Sequence, residues 1–290
     1  MGLYNRITDA VYEAIRIASI KLPSDVERAI EKALEEEESS VARSQLETIL
    51  LNAKRAWELK KPICQDTGLL NFYVKIGFDF PSKHVIEKAI IDATRKATRE
   101  IPLRPNAVDP FTNKNTGDNT GVLVPHIEYE FCEGDKLVIA VVPKGGGSEA
   151  VTKLELPPPG LGFDSIRKIV LKAIVEAGGK PCPPVIIGVG VGGCCDKAVS
   201  IAKKAACLRK VGVRSGNEIA ARLEEEILKD ANKLGIGPMG LGGKTSVLDV
   251  HIEYSHRHPA TYPVAVVFQC WATRRAFVEI DCKGSYRVWQ

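Results

Sequence analysis

No two cysteines in this 290-residue chain are spaced CxxC or CxxxC, although it contains 8 of them. That absence argues against a zinc ribbon and against the close-spaced run of a ferredoxin. Aromatic residues are scarce at 6%, and 40 Lys+Arg against 36 Asp+Glu leave an excess of only +4. A nucleic-acid binder normally carries a basic stripe with interleaved aromatics, so nucleic acid is not an expected partner. Long apolar runs are missing too. The longest stretch without charged or strongly polar side chains, residues 185–195, is glycine-rich and about half of the ~20 residues that a membrane-spanning helix needs. The first residues, MGLYNR, lack a basic-then-apolar leader and place Arg6 where a myristoylation signal wants Ser or Thr, so the expected location is the cytoplasm. In that compartment cysteines serve as metal ligands, redox groups or inert buried thiols more often than as disulfides. What is present, 44% hydrophobic and 26% charged residues, suits an enzyme-sized globular chain with ample core and excludes intrinsic disorder.

The first sixty residues read as helix. Ser24 and Glu27 form a capping-box pattern opening an amphipathic run over 24–38, and a second run covers 41–59 until Pro62 stops it. Residues 71–76 alternate like a strand and 84–100 look helical. The stretch 102–121 holds few apolar residues and many turn formers, and a loop of that length is usually functional or disordered. A β-branched run at 136–142 suits a buried strand. The stiff Leu156-Pro-Pro-Pro-Gly160 connector marks a sub-boundary near 156–163 within a single 1–290 domain. Asp164 is placed to cap a helix reaching Ala177. A strand at 185–189, a helix to about Leu208, and a helix opened by Ser215 and Glu218 and closed by Gly235 follow, and the C-terminal part alternates like paired strands. Helices and strands interleave too irregularly for a doubly wound sheet, so the expected fold is α+β, with helices packed on mixed sheets.

Gly188, Gly190 and Gly193 match G-x-G-x-x-G between a strand and a helix, the dinucleotide fingerprint. Its supporting acidic residue, expected about twenty positions on, is absent, since 211–214 offers only VGVR. Close backbone approach or anion binding by helix amides explains these glycines as well. Three other segments each set a cysteine among turn formers or polar residues: Pro62-Ile-Cys64-Gln65-Asp66-Thr67-Gly68, Lys180-Pro-Cys182-Pro-Pro184 and Gln269-Cys270-Trp-Ala-Thr-Arg274-Arg275. Rigid turns suit a thiolate held for chemistry, but a small buried hydrophobe is the alternative, and it is the preferred reading for Cys132, Cys207 and Cys282. His251, His256 and His258 do not converge on one ion at their spacing. Arg274 and Arg275 read equally well as substrate-facing or as solvating a strand end, and they stay outside the expected site.

Taken together and in order, ICQDTG, LRPN, KGGGSE, PCPP followed by GVGVGG, and QCWATRRA closely resemble the class I, iron–sulfur-dependent fumarate hydratase family and its near relative L-tartrate dehydratase. The likeness runs over essentially the whole chain and corresponds to the α subunit of the two-subunit enzymes. It implies a [4Fe–4S] cluster held by Cys64, Cys182 and Cys270, with a fourth iron left open to act as a Lewis acid, as an open zinc position does. It further implies that Gln65, Asp66, Arg104 and Gly147 bind substrate, with Asp66 the catalytic candidate. For Asp66 an Asx-turn brace of Cys64 is the alternative; for Arg104 it is a solvated loop arginine. The family usually continues KGGGSE with Asn, where this chain has Ala150. The implied activity is interconversion of (S)-malate with fumarate and water. The alternatives are the tartrate dehydratase α subunit, a nucleotide-dependent dehydrogenase and an electron-transfer cluster protein. A β subunit carrying a swivelling domain, a small dicarboxylate substrate and an (αβ)2 assembly complete the expectation, with neither nucleic acid nor membrane as partner.

Overall fold

The computed structural model describes residues 2–290. In chain order its elements are α1 (Leu3–Ile20), α2 (Ser24–Glu36), α3 (Ser40–Leu59), β1 (Leu69–Gly77), α4 (Ile86–Glu100), β2 (His126–Cys132), β3 (Leu137–Lys144), the four-residue α5 (Gly146–Glu149), β4 (Lys153–Glu155), α6 (Asp164–Ala177), β5 (Val185–Val191), α7 (Cys195–Leu208), α8 (Glu218–Lys233), β6 (Val247–Tyr254), β7 (Val264–Gln269), β8 (Ala276–Ile280) and β9 (Tyr286–Trp289). This is the mixed α+β fold expected. No helix among the described residues is long and apolar enough to cross a membrane.

The chain forms two compact units, each built from separated segments. One comprises the stretch up to Pro23, Ala53–Gly146 and Arg274–Gln290; the other comprises Ser24–Asn52 and Gly147–Thr273. The 156–163 connector lies inside the second.

The first unit is a five-stranded sheet in the order β2-β1-β3-β8-β9, with β1 and β2 parallel and the other neighbours antiparallel. Apolar residues recur along α1 at Ile7, Ala10, Val11, Ala14, Ile15 and Ala18, and along α4 at Ala89, Ile90, Ala93 and Ala97. These stripes, at helical spacing, share one core with Phe72 and Val74 of β1, Ile139 and Val141 of β3 and Val278 of β8. The strand predicted at 71–76 and the helix predicted at 84–100 are therefore both present, shifted only at their ends.

The second unit is a four-stranded sheet in the order β4-β7-β5-β6, in which only β5 and β6 run parallel. Val185, Ile187 and Val189 of β5 pack with Ile169 and Val170 of α6 and Ile227 of α8. The alternate β5 positions are the glycines of the dinucleotide-like motif. A Cβ on Gly188 would lie 2.0 Å from the Ala202 carbonyl of α7, and one on Gly190 would lie 1.9 Å from that of Ala198. These glycines therefore let a helix backbone lie against a strand, the close-approach explanation of the motif. Gly190→Ala is expected to destabilise the protein by about 1–3 kcal/mol or more, the usual range for overpacking. The check is a lower urea midpoint at unchanged slope.

Two helix starts differ from expectation. The cap of α8 is Asn217, whose side-chain oxygen accepts from the N–H groups of Ile219 and Ala220. Ser215 instead donates its backbone N–H to the fully buried Glu224 carboxylate at 2.9 Å. Asp164 makes no cap hydrogen bond; Phe163 occupies the cap position, and Asp164 lies in the first turn, where its charge favours the helix dipole.

Candidate active site

In the first unit, α3 ends before Pro62, and a short irregular segment carries Cys64, Gln65 and Asp66 into β1. The Asp66 carboxylate closes an Asx turn: Oδ1 accepts from Gly68 N–H at 2.9 Å and from Asn106 Nδ2 at 3.3 Å. Its other oxygen, Oδ2, accepts from Gly146 N–H at 2.7 Å. Gly68 has φ +79°, and a Cβ there would lie 2.7 Å from the Lys144 backbone, so no other residue fits this turn. The Asx turn that sequence left open for Asp66 is thus present, and it holds a carboxylate beside the glycine run. Gln65 is exposed next to it.

The long loop is ordered by its own polar side chains. Thr67 Oγ1 accepts from Arg104 N–H at 3.0 Å. Asn119, almost fully buried, accepts from Asn106 N–H at 2.6 Å and donates to the Arg104 carbonyl at 3.1 Å. Arg104 is therefore exposed on a backbone held from both sides, close in the chain to the Asn106 amide that reaches Asp66. Farther out, the Asp109 carboxyl is held below its ordinary range by the N–H and O–H of Thr112 and the N–H of Phe111. Asn106 and Asn119 escaped the sequence reading because asparagines in a polar loop resemble ordinary turn formers.

In the second unit, Cys182 and Cys270 lie on neighbouring turns, since Trp271 N–H donates to the Cys182 carbonyl at 3.3 Å. Cys182 adopts φ +55° and precedes the cis Pro183–Pro184 bond; Cys270 follows the end of β7. Gly147 is exposed in α5. Cys64, Cys182 and Cys270 are all half-buried and outside any disulfide, and all three stand in loops. Thiols of that accessibility on turns are a donor set that suits an iron–sulfur cluster. Among the described residues no three His, Cys, Asp or Glu side chains form a ready site for a metal ion. In a cluster each cysteine binds a different iron, so its ligands need not converge as those of one ion do. Beside Cys270, Gln269 is 1% exposed, and neither its amide oxygen nor its nitrogen has a hydrogen-bond partner among the described residues.

Two readings change, and a third residue gains partners. Arg274 and Arg275 do not solvate a strand end: they are 2% and 0% exposed. Of the cysteines expected to be buried, only Cys207 is; Cys132 is half-buried and Cys282 exposed. His251 is fully buried, with Nδ1 3.0 Å from the Ala205 carbonyl and Nε2 3.0 Å from Asp249. Burial alone would push the Asp249 carboxyl up, but His251, the Gly212 N–H and Arg214 together hold it below its ordinary range.

The architecture and these residues define a mixed α+β protein with a braced carboxylate, and half-buried thiols on turns. The model describing fumarate hydratase (Fumerase) matches residues 8–279. "Putative L(+)-tartrate dehydratase subunit alpha" of Methanocaldococcus jannaschii is 43% identical over 284 residues, covering 96% of this chain and 99% of that protein. L(+)-tartrate dehydratase subunit alpha of Escherichia coli is 37% identical over 277 residues, covering 95% and 91%. "Putative fumarate hydratase class I" of Geobacillus stearothermophilus is 40% identical over 285 residues, 95% of this chain but 55% of that protein. The chain belongs to the fumarate hydratase (Fumerase) family, and its enzyme class is that of the hydro-lyases.

Proposed function

We propose that this chain is the cytoplasmic α subunit of a class I iron–sulfur hydro-lyase that interconverts (S)-malate with fumarate and water. The observation that carries the reading is the Asp66 carboxylate, fixed by Gly68, Asn106 and Gly146 two residues after Cys64. Cys64, Cys182 and Cys270 would hold a [4Fe–4S] cluster, which when bound supplies a Lewis acid toward the substrate hydroxyl at the iron without a protein thiolate. Loss of water also needs a base for the proton on the neighbouring carbon, and Asp66 Oδ2, held by a single N–H, is the oxygen able to take it. Arg104, anchored through its backbone, has the planar fork that grips a carboxylate, while Gln65 and the Gly147 N–H add donors. The β subunit, with a swivelling domain, would complete the site in an (αβ)2 assembly. Two observations support this: relatives matched along nearly their whole length are named α subunits, and a class I fumarate hydratase is matched over only 55% of its length.

Tartrate is the second reading, favoured by the names of the M. jannaschii and E. coli relatives. One experiment separates the two. The α chain, reconstituted anaerobically with its β partner, is given malate and tartrate, and the ultraviolet absorbance of the product is followed. Fumarate from malate is the expected result; turnover of tartrate alone moves the assignment to tartrate dehydratase, and turnover of neither overturns both.

A further inference from the structure

The glycine-rich stretch 235–246, between α8 and β6 in the second unit, has no part in the site described so far. It is fastened at both ends. Gly237 N–H donates to Ser246 Oγ at 3.0 Å, and Lys244 N–H donates to Oε2 of the buried Glu37 at 2.7 Å. The other Glu37 oxygen accepts the N–H groups of Glu38 and Ser39, each at 3.0 Å. Between these anchors the one-turn 3-10 segment Pro238–Gly240 rests on the turn that carries Cys182. Met239 N–H donates to the Pro183 carbonyl at 2.8 Å, and a Cβ on Gly179 would lie 3.2 Å from the Met239 carbonyl oxygen. A Cβ on Gly240 would lie 2.7 Å from Gly179 Cα, so the two backbones meet with no side chain between them. Cys182 donates its own N–H to the Gly179 carbonyl at 3.1 Å. Its turn is thereby held on both flanks, at Gly179 and at Pro183, by a loop with independent supports. Met239 and Cys182 also share a backbone conformation, each being a non-glycine residue at φ +55°. Such residues stay left-handed only where their surroundings impose it. Core packing does not account for Met239, which is 36% exposed; what the loop fixes is its N–H.

We propose that the loop 237–243 is a clamp that positions Cys182 as a cluster ligand, with the Met239 N–H as its gripping group and the Gly240–Gly179 contact as its seat. This rests on the iron–sulfur reading above and extends it from the ligands to what fixes one of them. A cluster takes its thiolates from separate turns, and any turn not already set must be ordered when the cluster binds, which weakens binding. Met239 is thus a positioning residue acting through Pro183. Cys270 shares the arrangement, because Trp271 N–H donates to the Cys182 carbonyl from the turn that follows β7.

The test compares Gly240→Ala, Gly242→Ala and Met239→Gly with the wild type, each reconstituted anaerobically with the β partner. Gly242 is the control: at φ +86°, against +78° for Gly240, an alanine is strained alike, but nothing lies within 4 Å of a Cβ there. Iron and sulfide content, the electron paramagnetic resonance spectrum of the reduced cluster and the rate at which a chelator removes iron are measured. Hydrogen exchange at the Cys182 and Met239 amides and the melting temperature are followed alongside. Gly240→Ala should lose iron about 2- to 10-fold faster, the equivalent of one net hydrogen bond, with faster exchange at Cys182 and an altered spectrum. Gly242→Ala should lose iron at the wild-type rate, and Met239→Gly, which keeps the N–H, should retain both iron and spectrum. Should Gly240→Ala fail to fold, Gly179→Ala presses the same contact from the other side at an ordinary φ, and the same faster loss is expected. Equal iron loss from Gly240→Ala and Gly242→Ala would trace the effect to loop strain and overturn the proposal. Iron lost from Met239→Gly at wild-type amide exchange would assign the role to the side chain and overturn it as well. Unchanged iron loss in both Gly240→Ala and Gly179→Ala would overturn the clamp while leaving the hydro-lyase reading intact. A wild type that takes up no iron would overturn the cluster reading and the clamp together.

Discussion

Asp66→Asn should lower turnover by about a hundredfold to ten-thousandfold, the range general-base groups contribute, with a much smaller change in apparent substrate affinity. The substitution keeps size and shape but replaces one acceptor oxygen by an NH2 group. That group must face either the Gly146 N–H or the Gly68 N–H, each of which now donates to Asp66. Steady-state kinetics of the anaerobic αβ enzyme, with iron content and melting temperature measured in parallel, distinguish the outcomes. Turnover that falls at constant iron supports proton handling. Iron lost along with turnover would show that the carboxylate acts as the brace of the Cys64 turn, and the proton-transfer role would pass to another group.

The second large effect concerns the thiols. Changing Cys64, Cys182 or Cys270 to Ser should in each case remove most of the iron and acid-labile sulfide, and with them nearly all activity. Cys132→Ser should leave both at the wild-type level, because Cys132 closes β2 and belongs to none of the three turns. Serine is a hard oxygen ligand with a far higher pKa than cysteine, so it substitutes poorly for a thiolate on iron. Full cluster content in Cys182→Ser would remove that residue from the ligand set. Air should abolish activity before it unfolds the protein, since an iron without a thiolate is the one open to oxidants; circular dichroism recorded alongside the assay checks the order of the two events.

How much of this was legible in the sequence follows from what kind of force shapes each part. The helices Asp164–Ala177 and Ser40–Leu59 and the strand Leu69–Gly77 announce themselves because burial of one face imposes a period on the chain. The caps were less legible, since Ser215 and Asn217 both suit a helix start and only the buried Glu224 decides between them. In the candidate site, Asp66 and Arg104 stood out through their motifs. Arg274 did not: an arginine pair after an alternating run reads equally well as substrate-facing or as solvating a strand end, and only the three-dimensional packing shows that it is enclosed.

The segment order of the two units has a consequence for how the protein is made. The middle strand of the five-stranded sheet, β3, pairs on one side with β1 and on the other with β8, which the ribosome delivers only after the whole of the second unit. During synthesis, therefore, the unit begun later is the first to have all of its residues, while its elder waits with an apolar strand edge bare. In that interval the apolar edge of β3 has no partner, and a chain truncated between Thr273 and Ile280 would hold every residue of the second unit yet lack the strand that completes the first.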